Sequence, residues 1–217
     1  MKKRPTRKRP KRPITAKYAI MKKLLIAAGI FFIAATAWSQ SLPIGSAVPL
    51  ADLKMKDISG KEISLKEAMA ENGLLVMFSC NTCPYVMRNQ SRTKQLAAFA
   101  RQHHIGVILL NSNEGGRDDG DSYTAMQTYG RQQGYDFYYA LDTDSKLANA
   151  FGATRTPEVY LFDAAGKLQY KGAIDDNPSD AANVKRNHAH EAIQEMVTGK
   201  PVTVKESRSV GCGIKRA

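Results

Sequence analysis

The feature that most constrains the fold is an apolar run that ends in two closely spaced cysteines. Residues 74–78 are Leu-Leu-Val-Met-Phe, and Cys80 and Cys83 follow them. A continuous apolar run of this length predicts a strand buried on both faces, and the residues after Cys83 predict a helix. Both sulfurs are then expected near a helix N-terminus, where partial positive charge lowers a thiol pKa from about 8.5 toward 3.5–7.5.

Charge is distributed unevenly along the chain. The protein has 217 residues, 32 basic and 20 acidic, but residues 1–39 contain eleven Lys or Arg and no Asp or Glu. The rest of the chain therefore carries 21 basic and 20 acidic residues, interspersed with one another. A nearly neutral body argues against nucleic-acid binding, although the net charge of +12 alone would suggest it.

The basic N-terminal stretch has the pattern of a secretory signal peptide. An apolar run at residues 24–38 follows Met21-Lys22-Lys23, and it is shorter than the roughly 20 residues that a membrane-spanning helix needs. Small residues at 37 and 39 predict cleavage between Ser39 and Gln40. Met21 begins an ordinary signal peptide by itself, so it is an alternative start. We expect an exported, periplasmic protein, with membrane association only if the signal segment is uncleaved.

Residues 40–198 are expected to form one domain, and residues 199–217 a mobile C-terminal tail that carries Cys212. Ser59-Gly60-Lys61 predicts a turn between two short strands, and Ser64 with Glu67 predicts a capping box. The remaining pattern alternates strands and helices, which indicates an α/β fold with a mixed central sheet flanked by helices. Further strands are predicted at 105–110, 137–141, 158–163 and 167–174, and helices at 84–103, 122–133, 145–151 and 179–197.

The combination of motifs resembles the thioredoxin superfamily and, within it, the redoxin or peroxiredoxin-like group. The segments that carry this resemblance are residues 74–100, 111–113, 153–166, 199–202 and 211–215. It implies a thioredoxin-like fold with an N-terminal β-hairpin extension. It also implies a cis Pro157 against the two sulfurs, with Thr156 presenting its backbone to a bound polypeptide and Arg155 close by as a substrate-binding residue.

The two cysteines suit thiol-disulfide exchange. Cys80 is expected to attack a substrate disulfide because it precedes the helix, whereas Cys83 lies inside the first turn and is expected to be more shielded. Cys83 would then resolve the mixed disulfide and leave Cys80 and Cys83 oxidised. Cys212 is either a third, resolving thiol that reaches this site or a free tail cysteine.

Other functions use the same residues. The resemblance to peroxiredoxins implies a peroxidase in which Cys83-Pro84 takes the peroxidatic position and Cys80 that of the usual Thr. The chain departs from that pattern, because Val76 stands where the motif has a proline and Pro157 where it has an arginine, so Arg155 would have to polarise the peroxide. A metal site would add ligands to the two cysteines, and a structural disulfide would leave them inert. The candidate ligands for such a metal site are Cys212, His103, His104, His188 and His190.

We expect no metal and no cofactor. The expected partners are protein or small-molecule thiols and disulfides together with an unidentified redox partner, and no nucleic acid. Asp118, Asp119 and Asp121 are expected to be solvated acids of a polar loop.

Overall fold

The computed structural model describes Met1 and residues 41–216. The predicted signal segment and its cleavage site therefore lie, apart from Met1, outside the described residues. The described residues 41–216 belong to one compact unit. None of the described helices is both long and apolar enough to cross a membrane.

The described chain alternates strands with helices. The strands are β1 (Met55–Asp57), β2 (Glu62–Ile63), β3 (Leu74–Ser79), β4 (Gly106–Asn111), β5 (Tyr138–Leu141), β6 (Arg155–Thr156), β7 (Glu158–Phe162), β8 (Leu168–Gly172) and β9 (Cys212–Gly213). The α-helices are α1 (Leu65–Ala68), α2 (Pro84–Arg88), α3 (Gln90–Gln102), α4 (Tyr123–Gln133), α5 (Lys146–Phe151) and α6 (His188–Val197).

The main sheet is mixed, in the order β2-β1-β5-β4-β3-β7-β8. Strands β3, β4 and β5 are parallel neighbours, whereas β7 and β8 add antiparallel strands on one side. On the other side, β1 and β2 form an antiparallel hairpin, and β1 pairs with β5. This arrangement confirms the predicted α/β fold and the N-terminal hairpin extension.

The core lies on both faces of this sheet, which explains the continuous apolar sequence of β3. Leu74, Val76 and Phe78 pack into one cluster together with the helices α1 and α5. Leu75 and Met77, the alternate residues, pack on the opposite face against α3 and α6. Because successive side chains of a strand point to opposite faces, a central strand covered on both sides has to be apolar throughout.

The capping box is present as predicted. The Ser64 side chain accepts from the backbone N–H of Glu67, and the Glu67 carboxylate accepts from the backbone N–H of Ser64 at 2.9 Å. These bonds satisfy two groups that the first turn of α1 would otherwise leave unpaired.

Two predicted helices differ from the structure. The predicted helix 84–103 is divided at Asn89, whose side-chain amide donates to the carbonyls of Tyr85 and Pro178. The predicted helix 179–197 begins only at His188. Before it, the Asp176 and Asp180 carboxylates accept backbone N–H groups at residues 185 and 182, and such local bonds compete with helical hydrogen bonding.

Candidate active site

Cys80 and Cys83 lie at the junction between β3 and α2. Cys80 directly follows the strand, and Cys83 is the N-cap residue of α2, with Pro84 as the first helical residue. Both thiols are free and buried, with 1% of Cys80 and 3% of Cys83 exposed. The expectation that Cys83 is the more shielded cysteine is therefore wrong.

Thr156 and Pro157 lie directly beside these thiols. The peptide bond between them is cis, and both residues are buried. The Cys80 Sγ lies 3.4 Å from the Thr156 Oγ1, and the Cys83 Sγ lies 3.3 Å from the Thr156 carbonyl oxygen, to which the protonated thiol donates. The structure thus brings together residues that are more than 70 positions apart in sequence, as the resemblance implied. Their role in substrate binding stays a prediction.

The C-terminal segment also reaches this site. Strand β9 pairs antiparallel with β6, so that Cys212 lies opposite Thr156, and its partly buried side chain packs against Cys80, Cys83 and Val86. We expected a mobile tail, but backbone pairing with the strand before Pro157 holds this segment over the two cysteines.

The surroundings of Cys83 favour its thiolate. The neighbouring Cys80 thiol, with the Cys212 thiol and the nearby backbone N–H groups of Val86 and Cys212, outweighs the effect of burial and lowers the pKa of Cys83 to about 4. The Cys83 sulfur in turn raises the pKa of Cys80, as do burial and the nearby Asp121 carboxylate. Burial and the Cys83 sulfur raise the pKa of Cys212. Negative charge is therefore stabilised on the second cysteine of the motif.

A buried polar network supports the two residues between the cysteines. The Asp121 carboxylate accepts from the Asn81 backbone N–H at 2.7 Å and from the Thr82 hydroxyl at 2.9 Å. It also accepts from the side-chain amides of Asn111 and Asn113. Asp121 is fully buried, so the expectation of a solvated loop acid is wrong for this residue, whereas Asp118 and Asp119 are exposed as expected.

Two further side chains complete this network. The Tyr139 hydroxyl donates to the Asn81 side-chain oxygen at 2.8 Å. The Arg117 guanidinium donates to the Asn111 side-chain oxygen and to the Asp121 backbone carbonyl. No sequence pattern indicated that Tyr139 and Arg117 belong to the site. The usable signal was Asn111, because it ends the strand next to β3 and pairs with Ser79, immediately before Cys80.

The other candidate residues lie away from the sulfurs or point elsewhere. Arg155 is exposed, and its guanidinium donates to the Gly211 carbonyl at 3.1 Å. His103 and His104 follow α3, whereas His188 and His190 lie in the first turn of α6. Within Met1 and residues 41–216, no group of three or more His, Cys, Asp or Glu side chains is arranged to hold a metal ion.

Several solved structures have folds similar to that of this chain. An uncharacterized conserved protein from Geobacillus kaustophilus is 29% identical, with a TM-score of 0.75 over 81% of this chain and 93% of that chain. A hypothetical protein from Sinorhizobium meliloti 1021 is 28% identical, with a TM-score of 0.73 over 82% of this chain and 97% of that chain. A putative thiol:disulfide interchange protein, DsbE, from Chlorobium tepidum is 18% identical, with a TM-score of 0.54 over 73% of this chain and 98% of that chain, and it shares the fold.

No curated protein matches the chain. The Redoxin family model, in contrast, matches residues 43–186, which include both cysteines of the motif and the cis Pro157. With its thioredoxin-like fold, the chain belongs to the Redoxin family.

Proposed function

We propose that this protein is an exported thiol-disulfide oxidoreductase that exchanges disulfides through Cys80 and Cys83. The observation that carries this proposal is the placement of two buried thiols against the cis Thr156–Pro157 segment, with the Cys80 Sγ 3.4 Å from the Thr156 Oγ1 and the Cys83 Sγ 3.3 Å from the Thr156 carbonyl oxygen. The surroundings of Cys83 also lower its pKa. A thiolate is the attacking species in disulfide exchange, and a second thiol within bonding reach completes the reaction.

In the first step, the Cys83 thiolate attacks one sulfur of a substrate disulfide. A bond forms between Cys83 and that sulfur, the substrate disulfide breaks, and the other substrate sulfur leaves as a thiolate. The Cys80 thiol then gives its proton to this substrate thiolate and attacks Cys83. The Cys80–Cys83 bond forms, the bond between Cys83 and the substrate sulfur breaks, and that sulfur leaves as a second thiolate. The products are a Cys80–Cys83 disulfide and a substrate that has gained two electrons and, with a second proton from solvent, become a dithiol.

This assignment reverses the roles expected from sequence position. We assign the charge to Cys83 because the Cys80 and Cys212 thiols pack beside it and, with the nearby N–H groups of Val86 and Cys212, lower its pKa. Cys80 instead lies near the Asp121 carboxylate, which disfavours a second negative charge. Thr156, Pro157 and Arg155 form the edge on which a substrate chain would lie.

Trapping experiments test both the function and the order of attack. In a Cys212→Ser background, Cys80→Ser is expected to accumulate a mixed disulfide through Cys83 with a disulfide-bonded polypeptide such as insulin, because neither Cys80 nor Cys212 is then left to resolve it. Cys83→Ser is expected to accumulate much less. Peptide mass spectrometry identifies the bonded cysteine. If both variants still reduce insulin as the wild type does, the proposed function is contradicted. A mixed disulfide found mainly in Cys83→Ser would contradict the proposed order of attack.

A peroxidase function is the second candidate, and the position of Cys83 favours it. A thiolate at a helix N-cap, directly before Pro84, can attack hydrogen peroxide to give a sulfenic acid and water. Cys80 would then form the disulfide and release a second water. Stopped-flow reaction of the reduced protein with hydrogen peroxide tests this candidate, and a rate constant no higher than that of free cysteine would eliminate it.

Export rests on the sequence pattern of residues 1–39. When the full chain is expressed in a Gram-negative host, the periplasmic fraction is expected to contain a protein that begins at Gln40. Intact-mass measurement locates the new N-terminus. A full-length chain confined to the cytosol would contradict export without affecting the proposed chemistry.

A further inference from the structure

The last residues of the described chain lie across the active site as an extended strand. Ser207 first anchors the segment to β8, where its backbone N–H donates to the Lys171 carbonyl at 3.1 Å. Strand β9 then pairs with β6, and the Ile214 N–H donates to the Thr154 carbonyl at 3.0 Å. We call residues 209–215 the covering strand.

The end of the covering strand is fixed to the active-site network itself. The Lys215 backbone N–H donates to the Asn113 side-chain oxygen at 3.0 Å, and the Gly115 N–H donates to the Lys215 carbonyl at 2.9 Å. The Arg216 guanidinium donates to the Asn149 side-chain oxygen at 2.8 Å. These contacts hold the strand on both sides of Cys212.

Glycine is required at one side of Cys212. A Cβ added at Gly211 would lie 2.1 Å from the Thr156 carbonyl oxygen and 2.8 Å from the Thr156 carbonyl carbon, both backbone atoms. A Cβ added at Gly213 would have no neighbour within 4 Å. Because Gly211 has no side chain, the covering strand can approach the Thr156 backbone closely and lie over the two buried thiols.

We infer that the covering strand is a tethered surrogate of the substrate. It holds the Cys212 thiol where the cysteine of an extended polypeptide would lie on the Arg155–Thr156 edge, and this thiol exchanges disulfides with Cys83. The covering strand must unpair before an external polypeptide binds. This inference rests on the proposed function and adds a regulation of the same site. The covering strand is held mainly by backbone hydrogen bonds, which an external polypeptide that pairs as a strand can replace.

The exchange is balanced without an additional oxidant. When an external disulfide has oxidised the motif, the Cys212 thiol loses its proton and attacks Cys83. The Cys83–Cys212 bond forms, the Cys80–Cys83 bond breaks, and Cys80 leaves as a thiolate that takes up the proton. Cys83 is the shared partner because Cys80 and Cys212 belong to the same packed cluster around it.

Two glycine variants of the whole protein test the inference. Gly211→Ala is expected to displace the covering strand, whereas Gly213→Ala introduces the same methyl group into open space and serves as the matched control. In Gly211→Ala, the alkylation rate of Cys83 by iodoacetamide and the kcat/KM for insulin reduction should both rise about tenfold. This factor corresponds to a wild-type site that is open in about one molecule of ten, because the apparent affinity falls with the open fraction. In Gly213→Ala both should match the wild type.

Disulfide mapping tests the redox part. After equilibration in glutathione buffers, the wild type and Gly213→Ala should contain a Cys83–Cys212 disulfide alongside Cys80–Cys83, and Gly211→Ala should contain Cys80–Cys83 alone. Cys212→Ser should lack the first disulfide but keep the slow alkylation of the wild type, because its backbone pairing is intact. A chain ending at Arg208 is a second displaced variant if Gly211→Ala folds poorly.

The outcomes separate this inference from the proposed function. If the wild type exchanges disulfides with insulin but neither Gly211→Ala nor the shortened chain differs from it, the surrogate role is wrong and the oxidoreductase function stands. Absence of Cys83–Cys212 at every potential would overturn the exchange step. If no variant reacts with insulin or with bis(2-hydroxyethyl) disulfide, the proposed function itself fails.

Discussion

Cys83 shows how one side chain combines local and distant influences. Its position as the N-cap of α2 places it near the Val86 N–H, which helps to lower its pKa without forming a capping hydrogen bond, and this contribution depends only on neighbouring sequence. The thiol and backbone N–H of Cys212 come from 129 residues further along the chain. The thiolate is therefore stabilised by a helix terminus and by a strand that sequence position alone would not connect.

The charge on Cys83 predicts the pH dependence of the reduction potential. Above the Cys83 pKa of about 4, reduction of the disulfide takes up two electrons and one proton, because Cys83 remains a thiolate while Cys80 is protonated. Between about pH 5 and 8 the potential should fall by about 30 mV per pH unit, whereas a two-proton couple falls by about 59 mV. Below the Cys83 pKa the slope should steepen to the two-proton value.

Equilibration with glutathione measures this slope. The Cys212→Ser background limits the protein to one disulfide, and its hydroxyl keeps a donor near Cys83. Dithiothreitol in the same buffers provides the two-proton reference. A two-proton slope for the protein across this whole pH range would show that Cys83 is a thiol there.

Asp121 is predicted to position the motif and to restrain its charge. Asp121→Asn removes a carboxylate that lies near the two cysteines and helps to raise the pKa of Cys80. The single negative charge of the reduced thiol–thiolate pair is then repelled less, so the reduction potential should become less negative. The same change places an amide against the Asn111 and Asn113 donors, which should lower the free energy of unfolding by roughly 1–3 kcal/mol.

Potential measurements and urea unfolding check this prediction. Asp119→Asn is the control because Asp119 is an exposed acid of the same loop. A potential equal to that of the wild type, despite a folded protein, would leave Asp121 with a purely structural role.

Among the secondary-structure elements, α1 owes its first turn to local hydrogen bonds. Its four residues are too few for a stable isolated helix, so the Ser64–Glu67 capping box and the burial of Leu65 define it. Ser64→Ala should lower the free energy of unfolding by about 1 kcal/mol, because the N–H of Glu67 loses its acceptor.

Chemical denaturation measures the effect of Ser64→Ala. Ser59→Ala, in the turn between β1 and β2, should change the free energy of unfolding by less than about 0.5 kcal/mol, as is usual for surface positions. Equal losses in the two variants would mean that the cap contributes nothing beyond the loss of a hydroxyl.

At the scale of the whole molecule, a largely buried ion pair joins distant parts of the chain. Arg92 of α3 donates to the carboxylate of Asp175, which follows β8, and to the carbonyl of Asn177 at 2.9 Å. The side chains are 12% and 1% exposed, respectively. The pair fixes the loop between β8 and α6 against α3, and Asn89 donates to the same loop at Pro178.

Removing one partner should be costly at this position. Asp175→Ala leaves the Arg92 charge largely buried without its carboxylate, and we expect a loss of roughly 3–5 kcal/mol in the free energy of unfolding. Asp52→Ala breaks an exposed pair with Lys66, 80% and 70% exposed, and should cost at most about 1 kcal/mol. Thermal and urea unfolding compare the two, and similar losses would contradict the role of the buried pair.

Local patterns in the sequence were sufficient for most of the fold. The apolar run of β3, the capping box at Ser64 and the turn between β1 and β2 depend on neighbouring residues, so the sequence alone predicted them. The last helix was predicted too long because the bonds that hold residues 175–186 as a loop include Arg92, a partner far away in sequence. A periodic pattern carries no information about such partners.

The sequence by itself determined that two cysteines end a buried strand and begin a helix, and that a Thr-Pro pair precedes another strand. Only the tertiary structure decided which of the two thiols carries the charge and what covers them. The physical reason is that a thiolate is stabilised by whichever groups surround it in space, and here they come from the residue after β3, from α2 and from β9. The burial of Asp121 beneath the motif, and of both thiols under the covering strand, likewise follows from contacts between segments that are distant in sequence.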